Sequence, residues 1–502
     1  MTSGAVPLRA RVRDLLLEAA EVYRGRPWEA RLRTAAEDGD SPLRVALAGR
    51  VKAGKSTLLN ALVGVPVAPT DAGECTKVVT WYVHGEEPEA TAWLRSGRAR
   101  GDGRVPLDLR GGDAALRVDL GGLQPEDVDR VEVRLPSPRL ERLTLIDTPG
   151  LASLSPRFGE RTERFLTEGD EVGGGADAVL FLMRQLHAGD VNLLEAFRDP
   201  QARPVPPVNA IGILSRADEI GGGRPDALAV ARRLAEGYSQ DPRLRPLLQT
   251  VVPVAGLLAQ AAATLSDEEY RDLRETAEVP AAVLDPMLLS AIRFAAPRRG
   301  IEVASERRRA LVDRLGLFGV RWALALLRSG EAGTRDDLAG VLSAASGMTE
   351  LRWMLDARIT GRRDAIKADA ALRLLLHAAA TDPVPGIRRL AAAAEQLRLG
   401  VHDVAELRVL NELRTDGLAL PAEVRRRMER VLGAEGADVR VRLDLPREAT
   451  VADVERALLV EHAHWQRLAA DLLTPPEVKR ASSVLQRTCE GLRRDLRVGA
   501  SG

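Results

Sequence analysis

The chain is poor in several things that would narrow its chemistry, and each shortage excludes something. Its 502 residues include two cysteines, Cys75 and Cys489, too few for a disulfide framework, so a reducing cytoplasmic compartment is expected. Aromatics make up only 3%, which favours long helices with small-residue packing over an aromatic-rich sheet protein. Basic and acidic residues balance at 72 each, so no global field draws nucleic acid or anionic lipid, and no nucleic-acid partner is expected. There is no run of ~20 apolar residues that could span a bilayer. The nearest approach, 315–327, is short, carries Arg321 in its middle and reads as a buried helix. The amino terminus, MTSGAVPLRARVRDLL, lacks an uninterrupted apolar stretch and a small-residue cleavage site, so no secretory signal is expected. Any membrane contact should be peripheral. Lysine is scarce as well: five of the 72 basic residues, Lys52, Lys55, Lys77, Lys367 and Lys479.

Two of those five lysines fall in one eight-residue stretch. Residues 49–56 read Gly-Arg-Val-Lys-Ala-Gly-Lys-Ser, a complete G-x-x-x-x-G-K-S/T pattern between an apolar strand-like run, 43–48, and a helical run, 57–62. Glycines let consecutive N–H groups curl around a phosphate while the helix N-terminus adds its dipole. A chain that writes arginine almost everywhere has lysine where a compact ammonium is needed. The candidate nucleotide contacts here are Gly49, Arg50, Val51, Lys52, Ala53, Gly54, Lys55, Ser56 and Thr57.

Around this loop the chain alternates short apolar strands with helices. Runs at 43–48, 143–146, 179–183, 210–214 and 251–254 read as buried parallel strands, which predicts a doubly wound α/β domain. Residues 95–125, rich in Gly, Asp and Arg, read as a surface insertion. Before the domain, Leu8, Val12, Leu15, Leu16, Ala19, Val22 and Tyr23 share one helical stripe. After about residue 260 the pattern is helical throughout, and the two helical parts are expected to pack together.

Three further elements follow in the order a GTPase requires. Thr76, with Thr70 as competitor, lies some twenty residues after Lys55 in a segment whose hydroxyl could meet Mg²⁺. Asp147-Thr148-Pro149-Gly150 ends a strand: the carboxylate suits Mg²⁺ through water, and the Gly150 N–H suits a γ-phosphate. Ser215-Arg216-Ala217-Asp218 stands where Asn/Thr-Lys-x-Asp reads guanine, with Asp218 accepting from ring N–H groups and the Arg216 stem covering the purine. A helix N-cap is the alternative for Asp218. Ala255 and Gly256 follow the last strand, where a final base contact often lies.

Together GRVKAGKSTLLNAL, PTDAGECT, DTPGL and LSRADE resemble the GTPase domain of bacterial dynamin-like proteins. The whole chain most resembles the short actinobacterial branch that includes the isoniazid-inducible proteins. The motif match spans residue 43 to about 260. The resemblance implies an α/β P-loop G domain with a doubly wound, mostly parallel sheet over 43–265, flanked by a helical bundle. Residues 1–42 would pack on a stalk and 266–502 would form the neck and stalk, although 346–359 resembles a G-domain closing helix and could carry the domain to about 360. It implies a Mg²⁺-dependent GTP hydrolase, with Lys55 on the β- and γ-phosphates, Ser56, Thr76 and Asp147 on the metal, and Gly150 sensing the γ-phosphate. Leu151 replaces the water-orienting glutamine of small G proteins, and Lys52 either extends a charge toward the phosphates or faces solvent. Arg184, His187 and Asp190 lie in a segment resembling the loop through which such domains pair, so a homodimer or a pair with a related dynamin-like chain is implied; an N-cap is the alternative for Asp190. Membrane remodelling at the inner face of the cell membrane would follow, with Leu418 and Leu420 either dipping into lipid or anchoring a turn on the bundle. The competing reading is a switch GTPase acting on a protein or ribonucleoprotein partner without lipid contact. His462 and His464 are expected to pack, because no further ligand pattern accompanies them.

Overall fold

A computed structural model of the chain describes residues 7–64, 67, 78–95, 103–112, 115–148, 175–196, 209–415, 418, 420–436 and 438–499. Ten strands are described: β1 Leu43–Gly49, β2 Val79–His84, β3 Glu89–Leu94, β4 Arg104–Gly112, β5 Ala115–Asp119, β6 Val128–Leu135, β7 Leu143–Asp147, β8 Ala178–Met183, β9 Ala210–Ser215 and β10 Thr250–Val254. They form one sheet in the order β10-β9-β8-β1-β7-β2-β6-β3-β4-β5. The five strands expected from the sequence are β1, β7, β8, β9 and β10, and they run parallel to one another. β2 joins β7 antiparallel and pairs with β6 in parallel, and β3, β4 and β5 continue antiparallel to the far edge. β7 returns beside β1 on one side, and β8, β9 and β10 then run outward on the other, so a topological switch point opens at the carboxyl end of β1.

β1 is buried at all seven positions, and its period-2 alternation divides the core in two. Leu43, Val45 and Leu47 enter a cluster shared with the N-terminal helices Leu8–Val22 and Pro27–Glu37 and the helices from Met348 to the C-terminal end. Ala46 and Ala48 enter the opposite cluster, with Val179, Phe181 and Met183, under the helices from Ala227–Gln240 to Arg335–Ala345. The sheet is therefore the middle of three layers. Val12, Leu15, Leu16, Ala19 and Tyr23 of the expected stripe are buried, with Leu8 and Val22 packed at its margin. The residue-265 boundary does not coincide with a break in packing: helices through Ala345 share the core of the sheet.

The segment expected as a surface insertion instead contains the β4–β5 hairpin, which widens the sheet. Here the scarce aromatics are concentrated into a ladder. Arg130 lies 4.6 and 4.4 Å from the ring centres of Trp81 and Trp93, with Arg44 5.2 Å from the Trp81 ring centre and Arg104 4.2 Å from that of Trp93. Each cation–π contact is worth ~0.5–2 kcal/mol depending on desolvation, and together they tie β1, β2, β6, β3 and β4.

Polar anchors lock the helical layer to the amino ends of the parallel strands. Lys367 Nζ meets Asp177 Oδ2 at 2.8 Å, both side chains buried. The same carboxylate oxygen accepts the Arg44 N–H at 2.9 Å, and Lys367 also donates to Ser41 Oγ at 3.1 Å. Arg414 donates to the carbonyl of Gln249 at 2.6 Å, just before β10, and Arg245 pairs with Glu429 at 2.9 Å. Tyr23 and Arg26 reach Asp382, joining the N-terminal helices to Arg363–Thr381.

Candidate nucleotide site

Every described residue that the sequence assigns to the nucleotide lies at the carboxyl ends of the parallel strands. After β1 the backbone turns through left-handed conformations at Lys52 (φ 61°) and Gly54 (φ 94°) before helix Lys55–Val63 begins. Gly49 cannot be replaced there, since a Cβ on it would lie 2.5 Å from the Leu182 carbonyl oxygen on β8. The loop thus opens toward the cleft with its glycines where only glycine fits. Ser56 and Thr57 occupy the first turn of the helix, where N–H groups are free for an anion.

Three separated stretches close on one another. A Cβ on Gly54 would stand 4.0 Å from Ser215 Cβ, and one on Gly256 would stand 3.2 Å from Thr57 Cγ2. Arg216, itself left-handed at φ 53°, donates to the Lys52 carbonyl at 3.4 Å and pairs with Glu219 at 2.7 Å. Ser215 Oγ donates to the Met183 carbonyl at 3.2 Å, which fixes the end of β9 against β8. Ala255 is buried and its N–H donates to the Ser346 carbonyl at 2.9 Å. A cavity of ≈ 400 Å³ lies among Gly54, Thr57, Ser215, Arg216, Asp218 and Gly256. Asp218 is 5% exposed, and burial raises its pKa above the ordinary carboxylate value.

Lys55 is buried and donates to the carbonyls of Gly49 and Arg50 at 3.1 and 3.3 Å. Burial lowers its pKa, while the charge of Asp147 acts to raise it. Asp147 ends β7 opposite Leu47 of β1. Burial pushes its pKa to about 6 against the pull of Lys55. Its Oδ1 is enclosed and has no hydrogen-bond partner among the described residues. An enclosed carboxylate oxygen without a donor is costly unless a cation or its water shell fills the gap. The Asp147 carboxylate therefore suits a hard divalent ion. Thr148 is spent structurally, donating to the Leu47 carbonyl at 2.7 Å. Thr76 and Gly150 lie outside the described residues.

The sequence missed one wall. Helix Ser305–Ser329 brings Asp313 and Arg314 to the same cavity. The single cue was Gly316 inside an apolar helical run. The segment 315–327 is a buried helix as expected, with Leu315, Phe318 and Val320 in the core.

The expected pairing and lipid residues fall differently. Arg184 and His187 are exposed, and Arg184 pairs with Glu219 at 2.7 Å on the rim of the cavity. Asp190 is 1% exposed and its Oδ2 accepts the His187 N–H at 3.0 Å. The carboxylate closes its own turn. Leu418 is 1% exposed within the helical core and Leu420 packs half-buried on the same cluster. Among the described residues the most exposed large apolar side chains are Leu472 and Leu473, 91% and 92% exposed, at the hairpin between helices Val451–Ala470 and Pro476–Gly499. His462 pairs with Glu490 and His464 packs edge-on against Trp465.

Sheet order, loop and converging strand ends define a P-loop α/β G domain. Comparison with known proteins places it further. The dynamin family model matches residues 45–172. Over 495 residues the chain is 37% identical to the isoniazid-induced protein IniC of Mycobacterium tuberculosis, covering 96% of this chain and 97% of that protein. It is 31% identical over 256 residues to the isoniazid-induced protein IniA of the same organism, 49% of this chain and 35% of that one. A bacterial dynamin-like protein of Nostoc punctiforme is 32% identical over 126 residues, 23% of this chain and 17% of the other. The chain belongs to the bacterial dynamin-like GTPase family, on the branch of the isoniazid-induced proteins.

Proposed function

We propose that this chain is a Mg²⁺-dependent GTP hydrolase whose G domains work in pairs and whose helical layer couples turnover to a lipid surface at the inner face of the cell membrane. The observations that support this most are a cavity lined by Gly54, next in the chain to Lys55, and by Thr57, Ser215, Asp218 and Gly256, and an enclosed Asp147 oxygen with no hydrogen-bond partner among the described residues, in a carboxylate whose charge acts on Lys55. Lys55 leaves its carbonyl partners for the β- and γ-phosphates, and the Asp218 carboxylate accepts from the guanine N1–H and 2-amino groups. Ser56, Thr76 and Asp147 hold Mg²⁺, which when bound neutralises phosphate charge. The Gly150 N–H reads the γ-phosphate. With Leu151 in place of a water-orienting glutamine, the exposed Lys52 is the charge available in cis beside the phosphates.

The lipid contact is Leu472 and Leu473. Burying a leucine is worth ~1.5–3 kcal/mol, so two of them hold one copy only weakly and a pair of copies gains by linkage. Pairing, with a second copy or with a related dynamin-like chain, would run through the face carrying Arg184 and His187. GTP turnover and liposome co-sedimentation, each with wild type and Lys55→Ala, test this reading. Lys55→Ala is expected to lose nucleotide binding and GTP-dependent sedimentation together. Unchanged nucleotide affinity would refute the site, and wild type that turns over GTP but never sediments would favour a switch GTPase with a protein partner.

A further inference from the structure

Helix Ser305–Ser329 is not continuous. At Gly316 the backbone adopts φ 68°, ψ 164°, a conformation open essentially to glycine alone. The break lies against the base-reading loop. A Cβ on Gly316 would stand 3.7 Å from Asp218 Oδ2 and 3.8 Å from Leu257 Cδ1. Before the break, Asp313 and Arg314 line the cavity, and Arg314 is held by Glu269 at 2.7 Å and by the Thr264 carbonyl at 3.0 Å. After it, Arg321 donates to the Gly223 carbonyl at 3.1 Å, at the end of the loop that carries Asp218. Phe318 lies beneath the same glycine. One half of the helix thus lines the cavity and the other holds the end of the loop that carries Asp218, and the break between them rests on a single residue.

We propose that Gly316 is a positioning residue for Asp218: the break sets where the carboxylate stands, and so sets how well the pocket reads the guanine 2-amino group. This rests on Asp218 being the guanine acceptor. Alanine would fit the space at 316 but not the backbone dihedrals, and its strong helical preference favours joining the halves into one straight helix. Straightening displaces Asp218 relative to Gly256 and the loop after β1, whereas among the described residues Lys55 and Asp147 make no hydrogen bond with helix Ser305–Ser329.

Calorimetric titration of the full chain with GDP and with IDP, which lacks the 2-amino group, tests this. A hydrogen bond to a charged acceptor is worth ~1.5–3 kcal/mol, so wild type should prefer GDP roughly tenfold or more. Asp218→Asn should lose that preference. Gly316→Ala should bring the GDP/IDP ratio close to one while still binding both nucleotides through the phosphates. A fall in overall affinity with the ratio preserved would overturn the inference and leave the site intact, because a merely structural defect weakens both ligands alike. A wild type without GDP preference would sink the reading of Asp218 and this inference with it. Arg321→Gln, which removes the Gly223 anchor and leaves the dihedral untouched, should move the ratio the same way by less, and serves if Gly316→Ala does not fold; an unmoved ratio there also counts against the proposal.

Discussion

Replacing Lys367 by methionine should destabilise the junction between sheet and helical layer by about 3–5 kcal/mol, the usual cost of stranding one partner of a buried ion pair. The pair is 2.8 Å apart with side chains 6% and 7% exposed. Its gross attraction, about 6 kcal/mol at an effective dielectric of 20, is offset by desolvation of two ions, so the pair adds little over an apolar one; the loss comes from the carboxylate left behind. Asp177 would keep the Arg44 N–H as donor. In wild type, burial acts to raise the Asp177 pKa, but Lys367 and Arg44 together hold it below the ordinary value. Wild type therefore keeps this contribution above the ordinary carboxylate pKa and loses it as the pH falls through the lowered folded value. In Lys367→Met only Arg44 opposes the effect of burial, so the folded pKa moves upward. Asp177 then takes up a proton on acidification and the variant recovers stability. Denaturant unfolding of both proteins between pH 7 and 4.5 should show a deficit that narrows with acid. The double variant Asp177→Asn/Lys367→Met should cost less than the two single changes summed. A deficit below about 1 kcal/mol, or one independent of pH, would show that the pair does not hold these layers together.

The raised pKa of Asp147, about 6, makes metal binding acid-sensitive. Apparent Mg²⁺ affinity of the nucleotide complex, followed by fluorescence titration, should fall about tenfold per pH unit below that value, since the metal needs the carboxylate ionised; Asp147→Asn should bind weakly with that slope gone. Leu472→Asp/Leu473→Asp should abolish liposome co-sedimentation and leave GTP turnover in solution unchanged, because neither side chain touches the cleft.

The legible half of the fold was the half buried on both faces. β1, β7, β8, β9 and β10 read as apolar runs because each is covered by helices above and below. β4 alternates exposed and half-buried positions, and its Gly, Asp and Arg look like loop until β3 and β5 are seen to flank it. The nucleotide site was legible because its chemistry is local: a phosphate loop needs its glycines within a few residues, and Asp147 and Asp218 follow immediately after strands. Gly316 and Asp313 were not, since they reach the pocket from about 95 residues beyond Asp218 and more than 250 beyond the phosphate loop, through packing that no short-range pattern encodes. Leu418 and Leu472 show the same limit. Both sit in short loops between helices; only the tertiary structure reveals that one is 1% exposed and the other 91%.

The account depends most on Asp218 facing a guanine base in the cavity it lines with Gly54, Thr57 and Gly256. Asparagine at 218 replaces one acceptor oxygen by a donor, which mismatches the 2-amino group of guanine and suits the 2-oxo group of xanthine. Affinities of Asp218→Asn for GDP and for the xanthine nucleoside diphosphate should therefore move in opposite directions, the first weaker and the second tighter than in wild type. If neither affinity changes, Asp218 does not read the base and the proposed site is wrong.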